Sequence, residues 1–182
     1  TDAKGCATTT VITPVTANGP TDSITGVNTT CNNLCDGSAS SIVTGGTPAY
    51  TYLWNTGTVT ANITNLCPGT YTLTVTDANT CSSSSTVQII APSAIVFVNT
   101  NLTAVNPTSS SASNGSITVN GITGGTSPYQ YSINGGAFGS SNVFNGLATG
   151  IYTICVKDNN NCASTCLFDT LEGPTVLTVL PS

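Results

Sequence analysis

The sequence has no histidine, no arginine and no methionine, and its only charged residues are two lysines and seven Asp or Glu among 182 residues. Because the acidic residues are isolated from one another, the chain offers no dyad or triad for acid–base or nucleophilic catalysis. We therefore predict a protein that is not an enzyme, with no catalytic, cofactor-binding or metal-binding residues and no cofactor. The net charge of −5, without clustered Lys or Arg, also argues against nucleic acid as a partner.

Long apolar runs are missing too. No stretch approaches the roughly 20 apolar residues of a membrane-spanning helix, so no membrane span is expected, and any export signal is expected outside this sequence. Helical periodicity is also absent. Eight cysteines are present instead, and their even number, the lack of histidine and the lack of a CxxC pair indicate disulfides formed in an extracellular or periplasmic compartment.

One segment occurs twice in full, at 66–81 and 147–162, and its last six residues occur again at 1–6. Each full copy reads as a Gly-led turn, a strand alternating apolar residues with polar ones, and a polar turn closed by cysteine. The spacing predicts two Ig-like repeats, at 15–92 and 93–174. Residues 1–14 are interpreted as the terminal strand of a preceding repeat, or as a donor strand, and 175–182 as the start of a following repeat or a linker.

The predicted fold class is all-β, with two tandem Ig-like antiparallel β-sandwich domains, because each unit carries six or seven short strands separated by turn residues. Trp54 lies on a strand with Tyr50 and Tyr52 on the same face and is expected to fill the core. Tyr71 and Tyr152 each follow the pattern Leu-x-x-Gly-x-Tyr, which fits a tyrosine corner. The alternative for these aromatics is a ligand-binding platform.

The sequence 45–57, Gly-Gly-Thr-Pro-Ala-Tyr-Thr-Tyr-Leu-Trp-Asn-Thr-Gly, together with 65–81 and the upstream Cys31-Asn-Asn-Leu-Cys-Asp-Gly-Ser38, strongly resembles the SprB-type repeat. The second unit is similar at 124–131 and 150–152, with Ser and Asn in place of the upstream cysteines. The resemblance implies Ig-like or PKD-like modules in long surface adhesins and gliding-motility filaments of Bacteroidota, exported by the type IX route. It implies no catalytic residues.

The resemblance also implies a Cys31–Cys81 disulfide, which leaves Cys35 to pair with Cys67. Cys155 and Cys166 lie symmetrically about a turn and are predicted to pair across a hairpin, where they replace Thr74 and Ser85 on the outward face. Cys6 and Cys162 hold equivalent places, and the position that would pair with Cys162 is Ser109. These two cysteines are therefore either both free or joined between chains as Cys6–Cys162.

Asp77 and the run 158–161 admit two interpretations, a calcium site built from oxygen ligands or tight turns in which Asp and Asn bond to their own backbone; the turn is favoured. A stripe of outward threonines at 70, 72, 74 and 76 is interpreted as ordinary β-propensity and not as a flat ice-binding face. The patterns Asp22-Ser23-Ile24 and Asp169-Thr170-Leu171 predict O-glycosylation of Ser23 and Thr170, again by the resemblance.

Three functions remain in competition after the sequence has been read. The first is a structural repeat segment of an extracellular adhesin or filament at the cell surface, whose partners are neighbouring repeats or subunits of the same protein, arranged head to tail. The second is a glycan- or surface-binding module that uses loops such as 135–146. The third is an accessory domain of a secreted enzyme.

Overall fold

The structure is a computed structural model that describes residues 18–174. The segments 1–14 and 175–182, and with them Cys6, lie outside the described residues. Within 18–174 the chain forms twelve β-strands and one short 3-10 helix, Asn99–Asn101. None of the helical structure described is long and apolar enough to span a membrane.

The first six strands form two three-stranded sheets, in the orders β1-β2-β4 and β3-β5-β6. Their bounds are β1 Pro20–Val27, β2 Gly37–Gly45, β3 Thr51–Trp54, β4 Asn62–Leu66, β5 Gly69–Thr76 and β6 Ser82–Ile89. The next six form sheets in the orders β7-β8-β10 and β9-β11-β12. Their bounds are β7 Leu102–Val105, β8 Gly115–Val119, β9 Gln130–Ile133, β10 Val143–Leu147, β11 Gly150–Lys157 and β12 Leu167–Leu171.

The strand order of the second half repeats that of the first. Adding six to each strand number of β1-β2-β4 and β3-β5-β6 gives the other two sheets. The strand pairs for which a register can be stated, such as β3 with β5 and β9 with β11, are antiparallel. The predicted all-β, antiparallel class is confirmed, while a domain boundary between residues 92 and 93 remains a prediction.

The described residues fall into two compact units. The first comprises 18–26, 38–63 and 70–88. Its most buried side chains include Trp54, Leu73 and Val75. In the β3–β5 ladder Trp54 lies opposite Leu73, and Tyr52 lies opposite Val75. Because Tyr52 and Trp54 are the more buried residues of β3, this strand has the inward aromatic face that the sequence predicted. The Trp54 indole N–H donates to the Thr60 carbonyl over 2.8 Å, so its one polar atom is satisfied.

The second unit comprises 27–37, 64–69 and 89–174. Its core is a cluster of six buried apolar residues, Phe97, Ile117, Val119, Ile154, Val156 and Leu171. Tyr152 packs against this cluster, and its hydroxyl donates to the Ala148 carbonyl over 2.9 Å. This bond to backbone four residues upstream is the geometry of the tyrosine corner predicted from the sequence.

Gly37 and Gly115 open the equivalent strands β2 and β8, where no side chain fits. A Cβ on Gly115 would lie 3.0 Å from the carbonyl oxygens of Val105 and Leu147 and 3.0 Å from Leu171 Cδ1. A Cβ on Gly37 would meet Ile89 Cγ2 at 2.8 Å and two carbonyl oxygens at 3.0 Å. Since backbone oxygens cannot move aside, close approach of neighbouring strands requires glycine at both places.

The outward face of β6 differs by one residue from the sequence prediction. Ser85, expected to face outward, is half-buried, and its hydroxyl donates to the Asp22 carbonyl over 3.0 Å. Ser84 is the exposed residue. Leu171 ends β12 as Ile89 ends β6, so the counterpart of Cys166 is Ser84 and the assignment to Ser85 was wrong. An extra residue between Cys162 and β12 accounts for the shift.

Candidate functional site

Two tight turns share one hydrogen-bond pattern, and the first is the Asp77 turn, residues 77–81. The Asp77 carboxylate accepts the backbone N–H groups of Asn79, Cys81 and Thr47 over 3.0, 2.9 and 2.9 Å. The turn closes with a 2.9 Å bond from the Asp77 N–H to the Cys81 carbonyl. Thr80 has a φ of +66°, and the Asn79 side-chain amide donates to the Thr47 hydroxyl over 2.8 Å.

The Asp158 turn, residues 158–162, reproduces this pattern bond for bond. The Asp158 carboxylate accepts the N–H groups of Asn160, Cys162 and Thr126 over 2.9, 2.8 and 2.8 Å. The Asp158 N–H reaches the Cys162 carbonyl over 3.0 Å. Asn161 has a φ of +64°, and the Asn160 amide reaches the Thr126 hydroxyl over 3.3 Å.

The two aspartates are nearly inaccessible, with exposed fractions of 5% for Asp77 and 1% for Asp158. Three N–H donors compensate the burial of each carboxylate. The bond from the Thr47 N–H is the largest cause of a lowered Asp77 pKa; burial opposes it, and the Cys81 and Asn79 N–H groups add to it. The turn interpretation of these aspartates is therefore what the structure shows.

A third element is the Cys31 loop, residues 28–36, which precedes β2. The Asp36 carboxylate accepts both the N–H and the hydroxyl of Thr30, with 2.9 Å for the N–H. These bonds, the hydroxyl first, lower the Asp36 pKa. Its counterpart is the Ser109 loop, residues 106–114. There Asn114 accepts the Thr108 N–H over 3.0 Å and donates to the Thr108 hydroxyl over 2.9 Å. The loop conformation is thus kept although the charge is lost.

Three disulfides are formed in the described residues. Cys35 is bonded to Cys67 and Cys155 to Cys166, with Cα–Cα distances of 3.9 and 4.3 Å. Both pairs are those the sequence predicted. The third bond joins Cys31 to Cys162, with a Cα–Cα distance of 5.6 Å.

The Cys31–Cys162 bond corrects two expectations. Cys31 was expected to bond Cys81, but Cys81 is a free thiol. Cys162 was expected to be free or joined to Cys6 of another chain, but its sulfur is already bonded. The physical reason is that the Asp158 turn lies against the Cys31 loop: the Asn160 amide donates to the Thr30 carbonyl over 3.2 Å.

The sequence held a signal for this bond that the prediction did not use. Ser109 occupies the place where Cys162 would find a partner in its own repeat, so the partner had to come from elsewhere. Cys31 occupies the same place as Ser109 in the other loop and is the partner found in the structure.

Two cavities of about 230 Å³ lie in the second unit. The polar groups of the first are already engaged: Asn28 accepts the Ile90 N–H over 3.0 Å, and Asn160 donates to Thr30 and Thr126. The second is lined by Asp158, which holds its turn, and by Asn161, which accepts a bond from the Lys157 ammonium over 2.9 Å. The first cavity therefore presents no convergent set of free polar groups of the kind that fixes a small ligand.

Side chains that could bind a metal ion are spread over the part of the chain that the structure describes. No three His, Cys, Asp or Glu residues within 18–174 lie close enough together to hold a metal ion. The residues predicted to carry glycans, Ser23 on β1 and Thr170 on β12, are both exposed. The described geometry therefore consists of structural turns, loops and covalent links.

The Cys31 loop and the Ser109 loop lie in segments that a family comparison matches. The SprB repeat model matches residues 23–59 and 101–138. Two segments of this chain match the SprB repeat. The resemblance inferred from the sequence is thereby confirmed, and each matched segment includes one of the strands β2 and β8 that begin with a buried glycine. Comparison with curated proteins gives no match.

Three solved structures have a distant likeness to this chain. A C-terminal intimin fragment, in a complex with the intimin-binding domain of its translocated receptor, aligns at 16% identity and a TM-score of 0.38, covering 84% of this chain and 63% of that fragment. Domains 4 and 5 of the S-layer protein SbsC align at 14% identity and a TM-score of 0.35, covering 85% of this chain and 98% of that one. A BSP domain of a biofilm-associated protein aligns at 16% identity and a TM-score of 0.24, covering 80% of this chain and 28% of that one. Because these TM-scores are low, the fold is described only from the strands and sheets of this chain.

Proposed function

We propose that the chain is a non-catalytic structural segment of an extracellular adhesin or surface filament, built from tandem SprB repeats at 15–92 and 93–174. The observation that carries this is the duplicated turn. The carboxylates of Asp77 and Asp158, the two buried acids, each accept hydrogen bonds from three backbone N–H groups. Groups committed to the scaffold in this way stabilise a module and are not available to a substrate.

The proposed location is extracellular, and two further features support it. Three disulfides within residues 18–174 favour an oxidising, extracellular compartment. A surface solvated by hydroxyl and amide groups, with nine charged side chains in 182, suits a protein that contacts other surfaces, because little charge repels a neighbour. The proposed partners are other repeats of the same protein, and adhesion and gliding motility are the roles proposed for the assembled protein.

The test is to locate the native protein and ask what depends on it. Antibodies against the chain are applied to intact cells that produce it and to cells in which its gene is deleted. We expect labelling of the surface of intact producing cells only, together with weaker attachment or spreading of the deletion strain. Labelling that appears only after the cells are permeabilised would overturn the proposal, as would hydrolytic activity of the purified chain.

Modification of the exposed strands is part of this proposal. Ser23 and Thr170 are exposed and lie on the edge strands β1 and β12. A glycan on an edge strand would hinder unwanted strand pairing. Peptide masses of the native protein should show a hexose-containing increment at both positions, and unmodified masses at both would refute this part.

A further inference from the structure

Cys81 and Cys162 hold the same position in equivalent turns, yet the first is free and the second is bonded. Both follow an aspartate by four residues, and both donate their N–H to its carboxylate, over 2.9 and 2.8 Å. Both are half-buried. The local structure that presents the sulfur is therefore shared, and only the partner differs.

The partner of Cys162 is a loop with a definite signature. The Cys31 loop offers the sulfur of Cys31 and, one residue earlier, the carbonyl of Thr30, which accepts the Asn160 amide over 3.2 Å. The equivalent amide, that of Asn79, is exposed and donates to the Thr47 hydroxyl over 2.8 Å. Two groups of the Asp77 turn, a thiol and an amide, thus match two groups that are used in the Asp158 turn.

We infer that Cys81 is one half of a disulfide to a Cys31-type loop on a further repeat of the same protein. The Cys31–Cys162 bond is then one instance of a recurring covalent link between a turn and a loop. Within this chain the Cys31 loop is occupied by Cys162 and its counterpart carries Ser109, so the loop that receives Cys81 must be supplied by another repeat.

The chemistry is an ordinary two-electron thiol oxidation. The thiols of Cys81 and of the loop cysteine lose two protons and two electrons as the sulfur–sulfur bond forms. A disulfide-bearing oxidant takes them up by thiol–disulfide exchange and leaves as a dithiol. In the export compartment this oxidant is an oxidised thiol–disulfide oxidoreductase, and in the experiment below it is glutathione disulfide, which yields two molecules of glutathione.

The Ser109 loop provides the test within the full chain. The Ser109→Cys variant places a thiol where Cys31 lies in the other loop, beside a Thr108–Asn114 pair that matches Thr30–Asp36. The three native disulfides are left intact. Equilibration in a reduced and oxidised glutathione mixture should give a ladder of disulfide-linked oligomers, and peptide mapping should join position 109 of one chain to Cys81 of the next.

Two matched variants control this experiment. Ser111→Cys adds an exposed thiol two residues away in the same loop, and it should give several-fold less linked product, because the recurring geometry is not met. Ser109→Cys combined with Cys81→Ser should give no ladder. Equal linking by the 109 and 111 variants would overturn the inference, as would a link from Cys81 to Cys6 or a Cys81 that stays fully alkylatable.

This inference rests on the proposed function, and the two fail in different ways. If the link between position 109 and Cys81 does not form, the inference about Cys81 is wrong, but the surface labelling that tests the proposed function is unaffected. Labelling confined to the cell interior removes the proposed function whatever the thiols do in vitro.

Discussion

Cys31 and Cys162 are 131 residues apart in the sequence, and the disulfide between them brings their Cα atoms to 5.6 Å. The Thr30 carbonyl beside this bond accepts the Asn160 amide, so a loop that precedes β2 and a turn that follows β11 meet through one covalent and one polar contact. No other described disulfide closes so long a segment.

The three disulfides should therefore differ in their contribution to stability. If each acts by restricting the unfolded chain, loops of 131, 32 and 11 residues correspond to about 5, 4 and 3 kcal/mol at 25 °C. We expect the free energy of unfolding to fall most for the variant with both Cys31 and Cys162 changed to serine, and least for the Cys155/Cys166 pair. Urea unfolding of the three double variants checks this order, and the reverse order would contradict it.

Gly115→Ala should destabilise the protein by about 1–3 kcal/mol, since the new methyl group meets two carbonyl oxygens and a buried leucine at 3.0 Å. The matched control is Gly139→Ala, where nothing lies within 4 Å of the new Cβ. Thermal and urea unfolding of both variants measure the difference. Equal stability of the two variants would contradict the close strand approach at β8.

Asp158→Ala should lower the free energy of unfolding by about 1–3 kcal/mol, because three N–H donors lose a buried charged acceptor. The same change should loosen the presentation of Cys162. We therefore expect faster reduction of the Cys31–Cys162 bond by dithiothreitol than in the wild type, with the Cys155–Cys166 bond unaffected as an internal control. Unchanged reduction rates would show that the turn does not position the sulfur.

Acid should weaken the fold through Asp36 and Asp77, whose pKa values lie below the usual 3.8. A carboxyl group with a lowered folded pKa adds stability above its unfolded pKa, and this is lost as the pH falls through the folded value. The contribution of both groups is thus complete near neutral pH, begins to fall at about pH 4 and is lost as the pH passes through the lower folded pKa values. Urea unfolding between about pH 7 and pH 2 measures it.

Asparagine at the two positions should act differently. Asp36→Asn should keep its stability at neutral pH, because the Thr30 hydroxyl can accept from an amide as Thr108 does from Asn114. Asp77→Asn should be destabilised at neutral pH, since its amide NH2 would face the Thr47 N–H. Both groups are donors, and a backbone N–H cannot accept a hydrogen bond. Both variants should show a shallower acid loss than the wild type. A loss at neutral pH for Asp36→Asn as large as that for Asp77→Asn would contradict this account.

Local features were within reach of the sequence because they depend on neighbouring residues. Period-two alternation fixed the β class, the spacing around Tyr152 indicated its bond to Ala148, and the symmetry of Cys155 and Cys166 about a turn indicated their bond. The same holds for the Asp77 and Asp158 turns, where a short side chain bonds to backbone two and four residues ahead.

The tertiary structure alone decided what comes together over long distances. Nothing local to Cys31 distinguishes Cys81 from Cys162, since both close the same kind of turn; the choice depends on which turn the folded chain brings against the Cys31 loop. The extra residue between Cys162 and β12, which makes Ser84 and not Ser85 the counterpart of Cys166, likewise shows only in how the ends of β6 and β12 are packed. Sequence patterns report the chemistry of each element, whereas partner choice between equivalent elements is a property of their arrangement in space.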